Sequence, residues 1–506
     1  MAEIMDRLKG KNIVIWGVGA LQTDLEGIFD FGNILYYIDD FVREKNLISV
    51  DESEISSSEI IEKERPENVI FVLCGDEQDE AISKLYSWGY TSDDYVIGEE
   101  LLIKHELYNA IKCRDISIWG TGNTFTMNED DIRELYGDIA GFIVSKPDSD
   151  IFLDKPVLTL SENMSRFPKS YILVCSMYYN EIYKDLSNKG LKAGKDFLHY
   201  TTAISLGSLY SRVDADYNFI DRRKKSDRLL VILGGYKQVV WDCVFPRVKK
   251  YVPSDMDVCI VTSGLENQIL KDMCEENGWS YMSTTKNHVS LVTNLAVYLH
   301  PEAKYIFKMD EDMFLTRGVF ERMMETYREV EKQYEVGFVT PLIPINGYGY
   351  VRLLELFDAV SLWEEKFGEL KYTDCYCHHR TIHDNPEAAR FMWGEGNPAM
   401  ENLDDMNAKL QAMDFQYSIC PIRYSIGFIL FHRDNWVRMG MLPVPADCNM
   451  GSDEIYLCKF CLMQARVMAV AENTVIGHFN YGGPQTKAME EYFFSHKAAF
   501  LLREDE

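Results

Sequence analysis

The stretch that decides the fold is "KYIFKMDEDMF", Lys304 to Phe314. It begins as an apolar run typical of a buried strand and ends in three adjacent carboxylates, Asp310, Glu311 and Asp312. Neighbouring negative charges repel one another, so their cost is offset only if something positive lies among them. The partner is either bulk water with its counterions or a bound metal ion.

Strand-like and helix-like segments alternate in front of this motif, from residue 229 onward. The strands are "LLVILGG", "DVCIVTS" and "SYMST", and the helical stretches lie near 241–250, near 265–277 and at "SLVTNLAVYLH". This alternation predicts a doubly wound α/β sheet that binds its ligand at the carboxyl ends of the strands. Because side chains alternate with period two along an extended chain, Asp310 and Asp312 are expected to share one ion while Glu311 faces away.

Composition and charge restrict the setting. With 506 residues the chain is long enough for two to four domains, and 46% hydrophobic residues are typical of a folded protein. The balance of 52 basic and 80 acidic residues gives a net charge of −28, which disfavours nucleic acid and anionic membrane surfaces as partners. No apolar run is long enough to span a bilayer, and the amino terminus lacks the apolar core of a secretory signal. We therefore expect a cytoplasmic protein with reduced cysteines.

An internal repeat occupies the first part of the chain. "NIVIWGVGALQTD" starts at Asn12 and "DISIWGTGNTFTM" starts at Asp115. Three pairs of equivalent residues are offset by 103, 101 and 101 positions: Trp16 and Trp119, Cys74 and Cys175, Gly89 and Gly190. Offsets that agree within two residues predict two Rossmann-like αβ domains, at 1–108 and 109–212, each with a parallel sheet.

The glycine turns of these repeats suggest dinucleotide binding, since Gly17 and Gly19 follow a strand. The third glycine of that fingerprint is missing, because Gln22 and Phe125 occupy its place in the two copies. A tight strand-to-helix turn is the favoured interpretation, and no tight binding of NAD or FAD by residues 1–212 is expected. These domains are expected to position a partner or an acceptor, or to stiffen an assembly such as a homo-oligomer.

The segment "DADYNFIDRRKKSDR", 214–228, is dense in charge and poor in aliphatic residues. Its composition predicts a solvated linker at 213–228 rather than a phosphate-binding patch. The last domain then covers 229–506.

The region from Tyr424 to Gly482 adds three motifs in a fixed order after the carboxylates. They are Gly427, Phe428 and Arg433 in "GFILFHR", Asp453 in "GSDE", and His478 in "GHF". With Asp310 and Asp312, this order resembles that of GT-A fold glycosyltransferases, closest in layout to the family-2 type, over residues 229–485. The chain departs from that pattern at Ser452, where the family usually has Glu, and at Lys459, where it often has Arg.

The resemblance implies a metal site for a nucleotide sugar. Asp312 and His478 are the expected direct ligands, and Asp310 is expected to contact the ion through water or to hold the ribose. Oxygen ligands suit Mg²⁺ or Mn²⁺, and an imidazole favours Mn²⁺. Taken alone, His478 would be interpreted as a hydrogen-bonded core histidine.

Roles for other residues follow from the same layout. Asp453 is expected to be the general base, with helix capping as its alternative or additional role and Glu454 as the reserve base. Donor contacts are expected at the strand ends and from two of the carboxylates: Gly235, Tyr236, Thr262, Ser263, Asn287, Asn294, Asp310 and Glu311.

The stretch "CYCHHRTIHDNPEAARFMWGEGNP", 375–398, lies where acceptor loops are expected. Trp393 and Glu395 are the candidates for contacting a sugar acceptor. A zinc site is the weaker alternative, because the spacing of its candidate ligands fits no familiar structural site: Cys375, Cys377, His378, His379 and His383.

The expected activity is metal-dependent transfer of a hexosyl or N-acetylhexosaminyl group from a nucleotide sugar, UDP-linked, to a hydroxyl of a glycan or protein, with inversion. Two alternatives stay open: a protein that binds nucleotide sugars without turnover, and a nucleotidyltransferase. Neither the donor sugar nor the acceptor is specified by the sequence.

Overall fold

A computed structural model gives the fold of residues 7–40, 50, 54–75, 78–103, 105–374, 380–445 and 451–502. The chain divides into two compact units, 1–214 and 215–506. Both contain sheets with parallel strands, so the α/β class is confirmed. No helix of the described ranges is long and apolar enough to cross a bilayer.

The first unit contains two sheets that follow one another along the chain. Its strands are β1 (Asn12–Trp16), β2 (Asn33–Ile38), β3 (Ile55–Ser56), β4 (Val69–Leu73), β5 (Tyr95–Ile97), β6 (Ile116–Trp119), β7 (Ile139–Ile143), β8 (Ile151–Phe152), β9 (Lys155–Leu158), β10 (Tyr171–Val174) and β11 (Phe197–His199). The first sheet has the order β3-β2-β1-β4-β5, and the second has the order β11-β10-β6-β7-β9-β8. All pairs are parallel except β8 with β9.

Helices connect these strands. They are α1 (Ala20–Ile28), α2 (Glu59–Glu64), α3 (Gln78–Ser87), α4 (Gly98–Leu102), α5 (His105–Lys112), α6 (Asn123–Thr126), α7 (Glu129–Tyr136), α8 (Leu160–Arg166), α9 (Tyr179–Asn188) and α10 (Tyr200–Ser211). The two similar domains at 1–108 and 109–212 remain a prediction. The order β3-β2-β1-β4-β5 of the first sheet has a counterpart in β9-β7-β6-β10-β11 of the second, which adds β8 at its edge.

The glycines after β1 and β6 are required by close approach to a neighbouring strand end. Gly17 and Gly120 have φ values of 95° and 120°, in the region that favours glycine. A Cβ on Gly17 would lie 2.3 Å from the backbone nitrogen of Gly75, and one on Gly120 would lie 2.6 Å from the carbonyl oxygen of Cys175. The interpretation as a tight strand-to-helix turn therefore has a direct steric cause.

The second unit is built on one large mixed sheet. Its strands are β12 (Tyr217–Ile220), β13 (Arg228–Gly234), β14 (Asp257–Ser263), β15 (Ser280–Thr284), β16 (Tyr305–Asp310), β17 (Met313–Phe314), β18 (Val336–Leu342), β19 (Tyr417–Ile419), β20 (Phe428–His432), β21 (Val467–Val475) and β22 (Gly477–His478). The order is β12-β15-β14-β13-β16-β20-β18-β21-β19, and β17 pairs separately with β22.

Its helices pack around this sheet. They are α11 (Trp241–Tyr251), α12 (Gln268–Asn277), α13 (Val289–Leu299), α14 (Val319–Val330), α15 (Gly349–Leu356), α16 (Val360–Phe367), α17 (Thr381–Asp384), α18 (Pro386–Met392), α19 (Leu403–Gln411), α20 (Arg433–Arg438), α21 (Ser452–Met463) and α22 (Thr486–Ser495). Short 3₁₀ turns add Gln238–Val240, Pro398–Met400, Gly483–Gln485 and Lys497–Ala499.

The strands and helices predicted between 229 and 310 are present in the structure. β13 lies between β14 and β16, and β13 to β16 are mutually parallel where they pair. Beyond β16 the sheet is mixed, because β20 runs antiparallel to both β16 and β18. The carboxyl ends of β13 to β16 therefore meet at one edge, which we call the carboxyl edge (Gly234, Ser263, Thr284 and Asp310).

The prediction of a solvated linker at 213–228 is wrong for part of that segment. β12 pairs antiparallel with β15, and so forms the outer edge of the large sheet. The side chain of Arg222 donates to the carbonyl of Trp279 at 3.1 Å, and that of Arg223 donates to the carbonyl of Leu299 at 2.7 Å. The basic residues that suggested solvation instead bind carbonyl groups of the second unit.

A buried carboxylate joins the two sheets of the first unit. Asp24 on α1 is 0% exposed, and it accepts hydrogen bonds from the hydroxyl of Tyr179 and from the backbone N–H of His199 at 3.1 Å. Burial raises the pKa of Asp24 to about 7, and the hydrogen bonds from Thr202, Tyr179 and His199 offset only part of that shift.

This environment predicts a pH-dependent stability of the first unit. The folded pKa of Asp24 lies above its unfolded value, so its contribution is fully present below about pH 4 and is lost as the pH rises through about 7. Relative to Asp24→Asn, the wild-type chain should lose up to ~1.4 kcal/mol of unfolding free energy per pH unit in that window. Hydrogen exchange of the β10 and β11 amides, read by mass spectrometry between about pH 5 and pH 8, measures the difference.

Asp185→Asn on the exposed face of α9 is the matched control, because it makes the same charge change at a solvated site. It should show no such pH-dependent difference from wild type. Parallel stability curves for wild type and Asp24→Asn would contradict the assignment.

Candidate functional site

The three carboxylates of the motif each have different partners. β16 ends at Asp310 and β17 begins at Met313, so the chain turns at Glu311 and Asp312. The two-residue alternation of a strand does not extend through that turn. The expectation that Asp310 and Asp312 share an ion therefore stays a prediction that no longer rests on that alternation. Burial alone would lower the pKa of Lys237, but the charges of Asp312 and Asp310 raise it, so both carboxylates lie near one ammonium.

Glu311 fixes the loop that follows β13. Its side chain is buried and accepts hydrogen bonds from the backbone N–H groups of Gly235, Tyr236 and Lys237 at 2.9, 2.8 and 2.9 Å. The indole N–H of Trp241 adds a fourth bond at 2.7 Å. Burial raises the pKa of Glu311, and the N–H donors oppose that shift. Because these donors occupy the carboxylate, the structure gives Glu311 a supporting role instead of the predicted donor contact.

Asp312 is the most enclosed of the three carboxylates. It is 0% exposed, its Oδ2 accepts from Lys237 Nζ at 2.5 Å, and the same oxygen lies 3.6 Å from His478 Nε2. Its Oδ1 is buried and has no hydrogen-bond partner among the described residues. Burial alone would raise the pKa of Asp312, but Lys237 and His478 hold it below its ordinary value.

His478 is oriented by a backbone carbonyl. Its Nδ1 lies 3.0 Å from the carbonyl oxygen of Ile345, which can only accept, so Nδ1 carries the hydrogen. In the neutral ring this leaves the Nε2 lone pair facing Asp312. Met313 pairs with His478 between β17 and β22. Because Asp312 directly precedes Met313, this pairing fixes the separation of the Asp312 and His478 side chains. A histidine anchored through one nitrogen by a carbonyl is typical of metal ligands.

Asp312 and His478 fit a divalent cation as two protein ligands. Ligands bound at ~2.1 Å in neighbouring octahedral positions lie ~3 Å apart, so a small movement from 3.6 Å would accommodate an ion. No group of three His, Cys, Asp or Glu residues within the described ranges is arranged to hold a metal. Mg²⁺ commonly uses one or two protein ligands together with substrate phosphates and water, so a site of two protein ligands is chemically reasonable.

Asp310 lies beside a buried lysine. Its Oδ1 accepts from Lys308 Nζ at 2.7 Å, and the same ammonium donates to the carbonyl of Ile426 at 3.0 Å. Burial alone would lower the pKa of Lys308, but Asp310 and Asp453 outweigh it and raise the pKa. The side chain of Asp310 is 37% exposed, so it remains accessible at the carboxyl edge.

The predicted bases lie at the start of α21. Asp453 is buried, and Gly451 is the N-cap of α21 with no side-chain capping hydrogen bond, so the predicted capping role of Asp453 is wrong. Glu454 forms an ion pair with Arg423 and accepts from the backbone N–H of Ile426 at 3.3 Å. Burial raises the pKa of Glu454 to about 7, although Arg423 lowers it. Asp453 is thus the less engaged carboxylate, whereas Glu454 holds α21 against the segment before β20.

Four predicted donor contacts lie at the carboxyl edge. Tyr236 is 59% exposed, and its hydroxyl donates to the carbonyl of Ser263 at 2.5 Å, which fixes the exposed ring across the ends of β13 and β14. The hydroxyls of Thr262 and Ser263 form internal hydrogen bonds. Asn287 is exposed after β15.

Asn294 does not lie at that edge. It is 0% exposed, its amide nitrogen donates to the carbonyl of Leu442 at 2.8 Å, and its amide oxygen accepts from Trp436 at 2.9 Å. The prediction that Asn294 contacts the donor is inconsistent with this burial. It lies on α13, where every residue from Ser290 to Val297 is buried, so it packs in the core.

Trp393 is likewise a structural residue. It is 6% exposed, its indole N–H donates to the carbonyl of His478 at 3.0 Å, and its ring packs against Phe314 and Phe500. It therefore supports β22 instead of offering a face to a sugar. Glu395 is paired with Arg390 at 2.7 Å on the surface.

Four of the five candidate zinc ligands lie outside the described residues, in segment 375–379: Cys375, Cys377, His378 and His379. His383 is described, and its buried ring packs against Tyr481. Burial lowers the pKa of His383 to about 4, so the ring is neutral at neutral pH.

Arg433, part of the motif after β20, donates to the carbonyl of Val297 at 3.0 Å in the core.

Sequence reasoning missed the two lysines that neutralise the motif. Lys308 precedes Asp310 by two residues on β16, so period-two alternation was the available signal for their contact. Lys237 is 75 residues from Asp312, and no local pattern links them. Two buried amide atoms close in sequence to Ile345 and His478, Asn346 Nδ2 and Asn480 Oδ1, also have no partner within the described ranges.

Comparisons with known proteins add little. No protein-family model matches the chain, and no curated protein matches it. A solved structure with partial similarity is the crystal structure of GalNAc-T7 with UDP, GalNAc and Mn²⁺, at 10% identity and a TM-score of 0.31. The match covers 53% of this chain and 47% of that one, less than half of its length. At this identity and TM-score the similarity assigns neither a fold nor an activity.

Replacing Glu311 with Gln should loosen the loop after β13. A neutral amide offers one accepting oxygen and places an NH₂ group against N–H donors, so a loss of ~1–3 kcal/mol in local opening free energy is expected. Hydrogen exchange of the amides of Gly235, Tyr236 and Lys237 measures it. Glu321 is exposed on α14, so Glu321→Gln is the control and should leave the exchange rates of those amides unchanged. Unaltered protection in Glu311→Gln would contradict this role.

Proposed function

We propose that the second unit is a metal-dependent glycosyltransferase of the GT-A type, which moves a sugar from a UDP-linked nucleotide sugar to a hydroxyl acceptor with inversion. The observation that supports this most directly is Asp312, a fully buried carboxylate with an unpartnered Oδ1 and with Oδ2 facing His478 Nε2 at 3.6 Å. It lies just past the carboxyl edge, where α/β sheets bind nucleotides.

Asp312 and His478 would hold the divalent cation, Mn²⁺ or Mg²⁺. Bound there, the cation would neutralise the charge that develops on the departing diphosphate. Asp310 is accessible and is held by Lys308, which suits a contact with the ribose or with water on the ion. In this proposal Asp310 and Asp312 bind the nucleotide and its metal ion, and neither of them transfers a proton.

The nucleobase would lie on Tyr236. The hydroxyl of that residue is bonded to the Ser263 carbonyl, so its ring is restrained while its face stays exposed. A restrained aromatic ring stacks on a base at low entropic cost. Asn287 is exposed at the end of the neighbouring strand and would contact the base edge or the ribose.

Asp453 would accept the proton of the acceptor hydroxyl. The hydroxyl oxygen attacks the anomeric carbon as the bond from that carbon to the diphosphate oxygen breaks, and nucleoside diphosphate leaves. The proton passes to Asp453, so a single displacement inverts the anomeric centre. Asp310 and Asp453 both raise the pKa of Lys308, which supports their lying around one ammonium.

The products distinguish this activity from its alternatives. A glycosyltransferase releases nucleoside diphosphate from a nucleotide sugar, whereas a nucleotidyltransferase releases pyrophosphate from a nucleoside triphosphate. A binding protein releases neither. Incubation of the full chain with a panel of nucleotide sugars and Mn²⁺, followed by detection of free UDP, is the decisive assay.

Asp312→Ala should abolish metal-dependent binding of UDP while leaving the fold intact, because it removes one of two protein ligands. Calorimetry of UDP binding with and without Mn²⁺ measures the loss. Asp272 is exposed on α12, so Asp272→Ala is the control for removing one carboxylate and should bind UDP as the wild type does. Equal metal-dependent affinity in Asp312→Ala and wild type would refute the metal assignment.

Asp453→Asn should retain UDP affinity and lose turnover by ~10²–10⁴, because Asn keeps the size of Asp but lacks a basic oxygen. Glu454→Gln is the comparison variant, and its main effect should be on stability, since Glu454 is paired with Arg423. Near-normal turnover in Asp453→Asn, or retention of anomeric configuration by NMR, would rule out this base.

A further inference from the structure

Lys237 has one fixed end and one that can move. Its backbone N–H is held by Glu311 at 2.9 Å, so its Cα position is set by the same motif that supplies Asp312. Its ammonium contacts Asp312 Oδ2 at 2.5 Å, while 39% of the side chain is exposed. A long, partly exposed side chain on a fixed backbone can change rotamer without any movement of the loop.

The ammonium and a cation bound between Asp312 and His478 would contact the same carboxylate oxygen. Oδ2 is the oxygen that faces His478 Nε2 at 3.6 Å, and it is also the oxygen that Lys237 contacts. A divalent ion bound ~2.1 Å from that oxygen would lie close to the ammonium, with strong like-charge repulsion. The two cations therefore exclude each other at Oδ2.

We propose that Lys237 and the divalent cation are alternative occupants of Asp312 Oδ2, so that cation binding displaces the ammonium toward the diphosphate of the donor. This inference rests on the proposed function for the identity of the donor, but the competition itself requires only Asp312, His478 and Lys237. It makes Lys237 a residue that links cation binding to diphosphate binding at one site.

Two consequences distinguish displacement from a purely structural role. Removing the ammonium should strengthen cation binding, because Oδ2 is freed and repulsion is lost. It should also weaken binding of the diphosphate, because the displaced ammonium no longer pairs with phosphate oxygens. If the lysine only maintained the shape of the site, its removal would weaken the binding of both the cation and the diphosphate.

The test uses the full chain as wild type, Lys237→Met and Lys249→Met. Lys249 is exposed on α11, so its replacement makes the same charge change away from the site. Electron paramagnetic resonance of free Mn²⁺, without nucleotide, should show at least ~10-fold tighter Mn²⁺ binding by Lys237→Met than by wild type or Lys249→Met. Calorimetry at saturating Mn²⁺ should show at least ~10-fold weaker UDP binding by Lys237→Met.

Lys237→Arg keeps the charge and should bind Mn²⁺ as weakly as the wild type does. This variant tests whether the change in Lys237→Met comes from loss of the charge and not from misfolding. Mn²⁺ binding by Lys237→Met that is equal to or weaker than that of wild type overturns the proposal. Tighter Mn²⁺ binding without UDP release from any nucleotide sugar supports the competition and refutes the proposed transferase. Mn²⁺ binding that is unaffected by Asp312→Ala refutes the metal assignment and the competition together.

Discussion

One carboxylate organises the carboxyl edge of the second unit. Glu311 receives four N–H donors, three from the backbone after β13 and one from the first residue of α11. A buried carboxylate with that many donors is strongly oriented, because any rotation breaks several charge-assisted bonds. The ring of Tyr236, the stem of Lys237 and the start of α11 all take their positions from it. The middle residue of the acidic motif is therefore its structural anchor.

Compensation of charge is local even though the chain is strongly acidic. Asp310 is paired with Lys308, and Asp312 is paired with Lys237, each within hydrogen-bond distance. A buried charge without a partner costs several kcal/mol, so the enclosed Asp312 and Lys308 each need an oppositely charged group within contact. The same need is met elsewhere in the core by Arg247 and Asp404, which form two hydrogen bonds at 2.7 and 2.8 Å. Each of these pairs contributes zero to the net charge of −28, which arises from the other ionisable residues.

Local periodicity predicted the elements between 229 and 310, since strand and helix periods are properties of short segments. It did not predict β12, because the charged stretch that contains it pairs with a strand some 60 residues later. Asn294 and Trp393 were predicted to contact ligands, yet both are buried by distant partners, Leu442 and His478. Lys237 was missed for the same reason. Contacts between sequentially remote residues depend on the register of the sheet, which no single segment encodes.

The two Trp-Gly turns of the first unit limit how that unit could be re-engineered. Gly17 and Gly120 leave room for the ends of β4 and β10, so the space beside each turn is already filled by protein backbone. In the first turn the N–H of Val18 also donates to Asp39 at 3.1 Å, which occupies a donor that a phosphate would need. Installing a glycine in place of Gln22 would therefore not create a cofactor pocket. A designer would have to shorten the strand ends and remove Asp39 as well.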